Sequence, residues 1–469
     1  MPTREEIDAA FLQGEGAVTE LFEAQGKVIR ELEARLQILE DRLARNNSAS
    51  MSNNLRPAKN KGNPRRAHDI RRTQRLPGPQ SVKTLPIRIG QFTDSFPPII
   101  NGVSELINQH HKQLLAKGYR AYIITLGYGR YVGPGVVRSP GLPYGQQFRA
   151  SPFLSPRATR IAQSLDIFHI HEPFGIGGIA LRIAQQGNRP VIFTNHTQHD
   201  MYVETFPKLV RPPLKGHVTR MMATFLRAST ISTAPSEYTA HWMRQIAPDV
   251  AERVLVVHNG IDLSAFDRLE SPISREELAI APDSTVFIYV GRLTPEKNLP
   301  FFAEAFLQAV QTGTDAHWII IGEGRARTAL EEQLGAIADR VHFLGALSHT
   351  QIPAYLALAD VFAMPSLSET NSLSVIEAMA SSKPFIGLQA DWWNEFRDHE
   401  RAGILTEHST AAQVDAIQRL CRDRTARQVM GAHAHGISQR FDIRNVTTRW
   451  LELYQRAILQ YLSDNTRLY

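Results

Sequence analysis

From residue 87 onward the chain alternates between two textures. Short runs rich in β-branched and aromatic residues are followed by longer stretches in which apolar residues recur every third or fourth position. The runs 87–92, 121–125, 166–171, 191–196, 230–234 and 254–258 predict one series of strands, and 286–290, 318–321, 341–344, 361–364 and 384–388 a second. Helical periodicity fills the gaps, as over 298–311 and 325–338. Strands joined through helices predict parallel sheets covered on both faces. The expected class is α/β, with two doubly wound, Rossmann-like domains, 87–265 and 266–442, facing a cleft. Ligands of such sheets sit at the carboxyl ends of the strands, and here in the cleft between domains. A last apolar face, Val446, Trp450, Leu453, Tyr454, Ile458 and Tyr461, has no strand after it and predicts a closing helix within 443–469.

The first 86 residues break this pattern. Phe22, Ile29, Leu36 and Leu43 recur every seven residues, Leu32 and Leu39 fill the alternate seam positions, and Gln25 is a polar misfit. Residues 1–45 read as a helix ending in a short coiled coil, with weak self-association expected through 18–45 because so few heptads are present. Residues 46–86, rich in Arg, Lys, Asn and Pro and without apolar periodicity, read as a disordered basic linker. The chain of 469 residues has a net charge of +6, but 1–45 hold −4, 46–86 hold +8 and 87–469 only +2. Nucleic acid is therefore a conceivable partner for the linker and not an expected one for the main domains. With 43% apolar and 21% charged residues, wholesale disorder is excluded, and the one cysteine, Cys421, excludes an internal disulfide and fits a reducing cytosol. No uncharged apolar run reaches the roughly 20 residues that cross a bilayer. The opening segment is acidic where a secretory signal would be basic, so a cytoplasmic location is expected.

Candidate chemistry gathers after predicted strands. Glu369 and Glu377 stand eight residues apart, beyond the strand 361–364. Glu369 is expected in the strand-to-helix loop, and Glu377 about two turns into a helix that begins near Ser372. The free N–H groups of such a helix start form a natural seat for a diphosphate, and carboxylates beside it accept hydrogen bonds from sugar and ribose hydroxyls. Two solvated glutamates are the plainer alternative. Arg292 and Lys297 lie on the loop after 286–290. There an Arg can grip two phosphate oxygens and a Lys adds a point charge, unless the loop is merely solvated. Asn101 and Gly102 follow the first strand, where a glycine lets backbone approach a ligand. No G-x-G-x-x-G follows a predicted strand, and Gly322-Glu323-Gly324 lacks the third glycine, so a nicotinamide or flavin cofactor is not expected. His169, His171 and Glu172 end one strand, and His196, His199 and Asp200 follow another. Ligands on separate loops make a poor zinc site, so histidines satisfied by backbone or by substrate hydroxyls are preferred and no metal is expected. Residues 206–227 carry Lys208, Arg211, Lys215, Arg220 and Arg227, and no acid, among Phe206, Met221, Met222 and Phe225. That segment reads either as a docking surface for anionic lipid or as an ordinary helix with a cationic outer face.

Residues 87–461 taken together resemble the retaining glycosyltransferases of family four, which have the GT-B fold. The Glu369/Glu377 pair, the Gly291-Arg292 to Lys297 loop and Val257-His258-Asn259-Gly260-Ile261-Asp262 carry the likeness by their order and spacing. The opening Phe92-Thr93-Asp94-Ser95-Phe96-Pro97-Pro98 with Asn101-Gly102-Val103, together with His196-Thr197, is similar to the branch of diacylglycerol glucosyltransferases and related mannosyltransferases. The resemblance implies that Arg292 and Lys297 hold the donor diphosphate, that Glu377 binds ribose, and that Glu369 touches the transferred sugar. It places Thr370, Asn371, Ser372 and Leu373 of the same loop, with Asn101 and Gly102, around the donor, His171 near the donor sugar, and His196 and Asp200 on the acceptor side. It implies transfer of a hexose from a nucleotide-sugar, such as UDP-glucose or GDP-mannose, with retention and without an essential metal or other cofactor. A glycerolipid at the inner membrane face is the expected acceptor, reached by peripheral binding to anionic lipid. A soluble sugar or polysaccharide acceptor is the alternative, and a nucleic-acid-binding fusion with a relic transferase is the rival from another class. Two departures stand out. Ser372-Leu373 occupies the place where relatives often carry a glycine, and Gln389-Ala390-Asp391-Trp392-Trp393-Asn394-Glu395 replaces an expected Gly-rich loop, leaving the sugar open. Residues 31–54 weakly resemble the amino-terminal region of some insertion-sequence transposases.

Overall fold

The computed structural model describes residues 87–94, 96–97, 102–127, 133–144, 148–151, 153–197, 211–266 and 273–466. The coiled-coil and linker expectations, and Asn101, His199, Asp200, Phe206 and Lys208, lie outside these residues.

The first half of the fold contains β1 (Arg88–Thr93), β2 (Arg120–Leu126), β3 (Val136–Ser139), a small antiparallel pair β4 (Leu142–Tyr144) and β5 (Phe148–Ala150), then β6 (Ile167–Ile170), β7 (Val191–Thr194), β8 (Ile231–Ala234) and β9 (Val254–Val256). Apart from the β4–β5 pair these form one seven-stranded sheet in the order β3-β2-β1-β6-β7-β8-β9, parallel throughout. The second half contains β10 (Thr285–Val290), β11 (Ala316–Ile321), β12 (Val341–Gly345), β13 (Val361–Met364), β14 (Phe385–Leu388) and β15 (Gly403–Thr406), a parallel sheet in the order β12-β11-β10-β13-β14-β15. Every residue of β6, β7, β11 and β13 is buried, which explains why these strands read as continuous apolar runs and not as alternating ones. In both sheets the first strand lies between its successor and a strand that crosses to its other side. The switch points are therefore β1/β6 and β10/β13, the positions where doubly wound sheets open a crevice at their carboxyl edge.

Six helices matter for the site: α1 (Gly102–Ala116), α2 (Arg211–Ala228), α3 (Glu237–Ile246), α4 (Leu299–Gln311), α5 (Leu373–Ala380) and α6 (Ile443–Thr466). The terminal helix α6 crosses back onto the first sheet. Its Trp450, Leu453, Tyr454 and Ala457 share a core cluster with Ile89, Ile167 and Ile192. Just before it, the backbone of Ile261 receives Ile443 N–H at 2.8 Å and donates to Phe441 O at 2.9 Å. Residues 257–258, expected to extend the last strand of the first series, lie just beyond its end at Val256 and lead into this crossing. A Cβ on Gly260 would lie 2.9 Å from Val446 Cβ, so only glycine lets the crossing lie this close to α6.

Some expectations fail. The helix read over 325–338 is two pieces, Arg327–Gln333, which ends at Leu334, and a 3-10 turn Gly335–Arg340 that is itself kinked at Ile337. Leu330, Leu334 and Ile337 keep helical spacing in sequence and still reach the core across that break, with Gly335 weakening the helix between them. The strands β3, β4, β5 and β15 are not among the runs expected from the sequence. Helix α2 corrects the membrane reading of its apolar residues: Met222 and Phe225 face inward and are fully or nearly buried in the first-domain core. Its outward side carries Lys215, Arg220 and Arg227, and Arg227 is paired with Asp249 at 2.8 Å.

Candidate active site

The second sheet's switch point carries the predicted donor residues. Beyond β10 the chain turns through Gly291 into Arg292 and a 3-10 turn, Pro295–Lys297. Gly322, after β11, makes this packing possible: its φ is +139°, and a Cβ there would stand 1.8 Å from Gly291 O. The Gly-Glu-Gly stretch thus serves loop-on-loop packing. Beyond β13 the loop 365–372 runs to α5, whose first residue is Leu373. These neighbouring loops bring Lys297 Nζ to 2.5 Å from Glu369 Oε1, with side-chain exposures of only 16% and 10%. Arg292 stands outside, 71% exposed, 3.4 Å from Glu296. The sequence pairs Arg292 with Lys297; the structure separates a half-buried, ion-paired lysine from a solvent-facing arginine.

Glu377 is the fifth residue of α5, little more than one turn in and not two, and is 3% exposed. Its Oε1 lies 2.5 Å from His349 Nε2. His349 comes from the turn after β12, and nothing in the sequence marks it. Burial alone would lower its pKa; the hydrogen bond and charge of Glu377, with Glu105 of α1 as a further negative neighbour, carry it above the ordinary 6.5. Neither glutamate is a solvated surface group: each carboxylate is held by a basic side chain.

The rest of the loop joins the two halves. Asn371 Oδ1 accepts from Asn259 N–H at 3.0 Å, and its main-chain O accepts from Asn259 Nδ2 at 3.1 Å, while its own buried Nδ2 has no partner among the described residues. Ser372 caps α5 without a side-chain bond to the helix's backbone N–H groups, and its Oγ lies 3.2 Å from that of Ser374 in the first turn. Leu373 packs against Gly102 at the start of α1: a Cβ on Gly102 would meet its Cδ1 at 3.2 Å. Gly102 is thus placed by close approach of the two halves, and Thr370 is half-buried in the loop.

The first sheet's switch point supplies the opposing wall. Thr93 ends β1 and Asp94 follows it, and His171 and Glu172 follow β6. Asp94 N–H donates to Glu172 Oε2 at 2.8 Å, and Asp94 Oδ1 accepts Ile176 N–H at 3.1 Å. Burial, then the charge of Glu172, pushes the Asp94 carboxyl well above the usual carboxylate range. His171 is buried with Nδ1 3.0 Å from His196 Nε2. Burial lowers His171 well below its ordinary value, helped by the neighbouring imidazoles, and lowers His196 to about 4, so both rings are neutral near pH 7. His169 is satisfied by side chains: Tyr454 Oη at 2.8 Å and Thr194 Oγ1 at 2.7 Å. Among the described residues no His, Cys, Asp and Glu cluster is arranged to hold a metal ion.

Trp392 and Trp393, in the stretch that replaces the expected Gly-rich loop, are buried in the second core. Their rings stack at 4.0 Å, and their indole N–H groups donate to Ser366 O and Leu388 O. The same turn sends Glu395 to the other half, where its Oε1 accepts Glu237 N–H at 2.6 Å at the start of α3.

Two facing Rossmann-like domains with chemistry at both switch points define a GT-B architecture, and the comparisons agree. The family model described as "Glycosyltransferase Family 4" matches residues 100–265, and "Glycosyl transferases group 1" matches 284–423. The chain is 28% identical over 348 residues to an alpha-monoglucosyldiacylglycerol synthase of Streptococcus pneumoniae, covering 70% of this chain and 77% of that one. It is 27% identical over 397 residues to a sulfoquinovosyl transferase of Arabidopsis thaliana, covering 81% and 76%. Among solved structures, the HepE protein of Anabaena in complex with UDP and glucose superposes with a TM-score of 0.62 at 20% identity, over 79% of this chain and 100% of that one. The protein belongs to the family-four glycosyltransferases and is a glycosyltransferase of GT-B fold.

Proposed function

We propose that this glycosyltransferase moves a hexose from a nucleotide-sugar to a glycerolipid hydroxyl, with retention and without a catalytic metal, at the cytoplasmic face of a membrane. The observation that carries the reading is the Lys297–Glu369 contact at the β10/β13 switch point, beside the free N–H groups that open α5. In this reading Lys297 and Arg292 take the donor diphosphate, and their charge, with the helix start, stabilises the leaving nucleotide diphosphate in place of a metal. Glu377, held by His349, accepts from the ribose hydroxyls, and Glu369 from hydroxyls of the transferred sugar. His171 meets that sugar from the first domain, with His196 toward the acceptor. The acceptor hydroxyl attacks from the face the diphosphate leaves.

Two observations support a lipid acceptor. The Streptococcus relative is named for monoglucosyldiacylglycerol synthesis. Charge is also divided: residues 87–265 hold 18 Lys/Arg and 10 Asp/Glu, whereas 266–469 hold 19 and 25. A basic first domain and an acidic second suit docking of the first on an anionic surface. The inward burial of Met222 and Phe225 favours a second reading, transfer to a soluble sugar or polysaccharide, because it removes the apolar anchor expected of α2. The deciding experiment incubates the protein with a panel of nucleotide-sugars and measures nucleotide diphosphate release with and without diacylglycerol in anionic vesicles. Lipid-stimulated release with a glycolipid product is expected; release stimulated only by soluble sugars would replace this acceptor.

A further inference from the structure

Helix α6 does more than close the first domain. His169 in β6 and His171, the first residue beyond it, lie two apart and project to the same side of the sheet, with their ring centroids 4.0 Å apart at 35°. The side they share is covered by α6. Trp450 lies 4.6 Å from the His169 ring, and Tyr454 Oη lies 2.8 Å from His169 Nδ1. The same hydroxyl is 3.0 Å from His110 Nε2 of α1, and His110 Nδ1 is 3.1 Å from Thr447 Oγ1. On the other edge His169 Nε2 reaches Thr194 Oγ1 at 2.7 Å, which reaches Thr233 Oγ1 at 2.7 Å. A continuous buried chain thus runs Thr447, His110, Tyr454, His169, Thr194, Thr233.

Proton bookkeeping makes this chain directional. Each neutral imidazole has one N–H and one lone pair, and the phenol has one proton to donate. Burial holds His110 at about 3 and His169 well below its ordinary value, so both are neutral. Tyr454 then donates to one ring and accepts from the other, which couples the His169 tautomer to that of His110 and holds the His169 ring in its plane. His171 is wedged between the His169 ring at 4.0 Å and the His196 ring at 5.2 Å, with its Nε2 buried and without a partner among the described residues.

We propose that Tyr454 is a positioning residue for the glycosyl-transfer site: by holding the His169 ring it sets the plane in which His171 presents Nε2 to the donor sugar. This rests on the reading of His171 given above. Tyr454 touches no substrate, and its effect passes through two imidazoles in contact. Removal of its hydroxyl tilts the His171 ring, and a contact used in the transition state suffers more than one used equally in ground-state binding.

The test is a double-mutant cycle on the full-length chain with the donor identified by the panel above. Tyr454→Phe is expected to lower kcat on the order of tenfold while donor KM stays within about twofold. In a His171→Ala background the same substitution should change kcat by less than about twofold, because the residue it acts through is gone. An equal loss in both backgrounds would mean that Tyr454 only braces the fold, and the proposal falls. So it does if Tyr454→Phe has wild-type kcat. Full activity of His171→Ala would remove the His171 reading itself, and the proposal with it; impaired His171→Ala with an additive Tyr454→Phe removes the proposal alone. If Tyr454→Phe lacks a cooperative thermal transition, Thr194→Val, which strips the other partner from His169, enters the same cycle and decides by the same criteria.

Discussion

Lys297 and Arg292 stand five residues apart in the chain but in different dielectric surroundings. Lys297 is ion-paired with Glu369 in a half-buried site, whereas Arg292 is 71% exposed. Removing one member of a buried pair strands the other, at a cost of up to about 3–5 kcal/mol when burial is complete; solvent reduces that here. Lys297→Ala should therefore lower both donor kcat/KM and Tm, and Lys297→Ala with Glu369→Ala should recover Tm but not activity. Arg292→Ala should reduce kcat/KM by on the order of tenfold or more with Tm unchanged. Parallel donor kinetics and thermal melts of the three variants check this, and a Tm loss in Arg292→Ala would contradict the placement.

His349 adds a pH dependence with a definite sign. Although burial opposes it, the Glu377 contact raises the folded pKa above 6.5. A raised imidazole pKa contributes stability that is fully present below the unfolded value, near 6.5, and is lost as pH rises through the folded value. The Tm advantage of wild type over His349→Gln should thus be largest below pH 6.5 and shrink above it. Melts at acid, neutral and mildly alkaline pH read the trend; a gap that widened toward alkaline pH would reverse the assignment.

At the scale of elements, the turn Asp391–Glu395 shows how a sequence departure is absorbed. Trp393 is fully buried, stacks on Phe385 at 4.3 Å and lies within the second core. Truncating so large a buried aromatic costs about 3–5 kcal/mol. Trp393→Ala should lower the urea midpoint accordingly while leaving the preference among nucleotide-sugars unchanged, since the ring fills the core. A changed donor preference at little cost in stability would return it to the sugar pocket. Helix α2 teaches the converse. An amphipathic helix on a doubly wound sheet and one lying on a membrane carry the same periodic stripe, because each buries one face. Periodicity does not say against what, and here β7 and its neighbours claim that face.

At the scale of the whole molecule, the unit Lys83–Tyr469 is compact by itself, and both switch points lie within it. Deleting residues 1–80 should preserve glycosyl transfer; a folded but inactive product would make the amino-terminal region part of the enzyme. The truncated protein should bind vesicles rich in anionic lipid at low salt. Because α2 offers cations and no inserted apolar face, its share of that binding should be lost at high salt, as expected for screened charge. Lys215→Gln with Arg220→Gln should weaken it further. Vesicle flotation across a salt series measures both effects, and binding indifferent to salt and to these substitutions would point to a different surface.

Sequence alone determined the strand-and-helix alternation, the two-domain class, the place of Glu369, Arg292 and Lys297 in loops at the ends of strands, and that of Glu377 in the helix that follows. Each of these follows from local pattern: the period of apolar residues, and the rule that chemistry gathers where parallel strands end. It could not give the partners. Lys297 meets Glu369 across 72 residues, His349 meets Glu377 across 28, and His169 meets Tyr454 across 285. Those distances in sequence close only when sheet order brings β10 beside β13 and when the last helix returns to the first sheet. Burial then separates the roles of side chains that look alike on paper: Lys297 is enclosed while Arg292 is solvated, and Tyr454 bonds two histidines where periodicity marked only an apolar face. Local preference chooses the elements, and long-range packing chooses which polar groups must satisfy one another once water is gone.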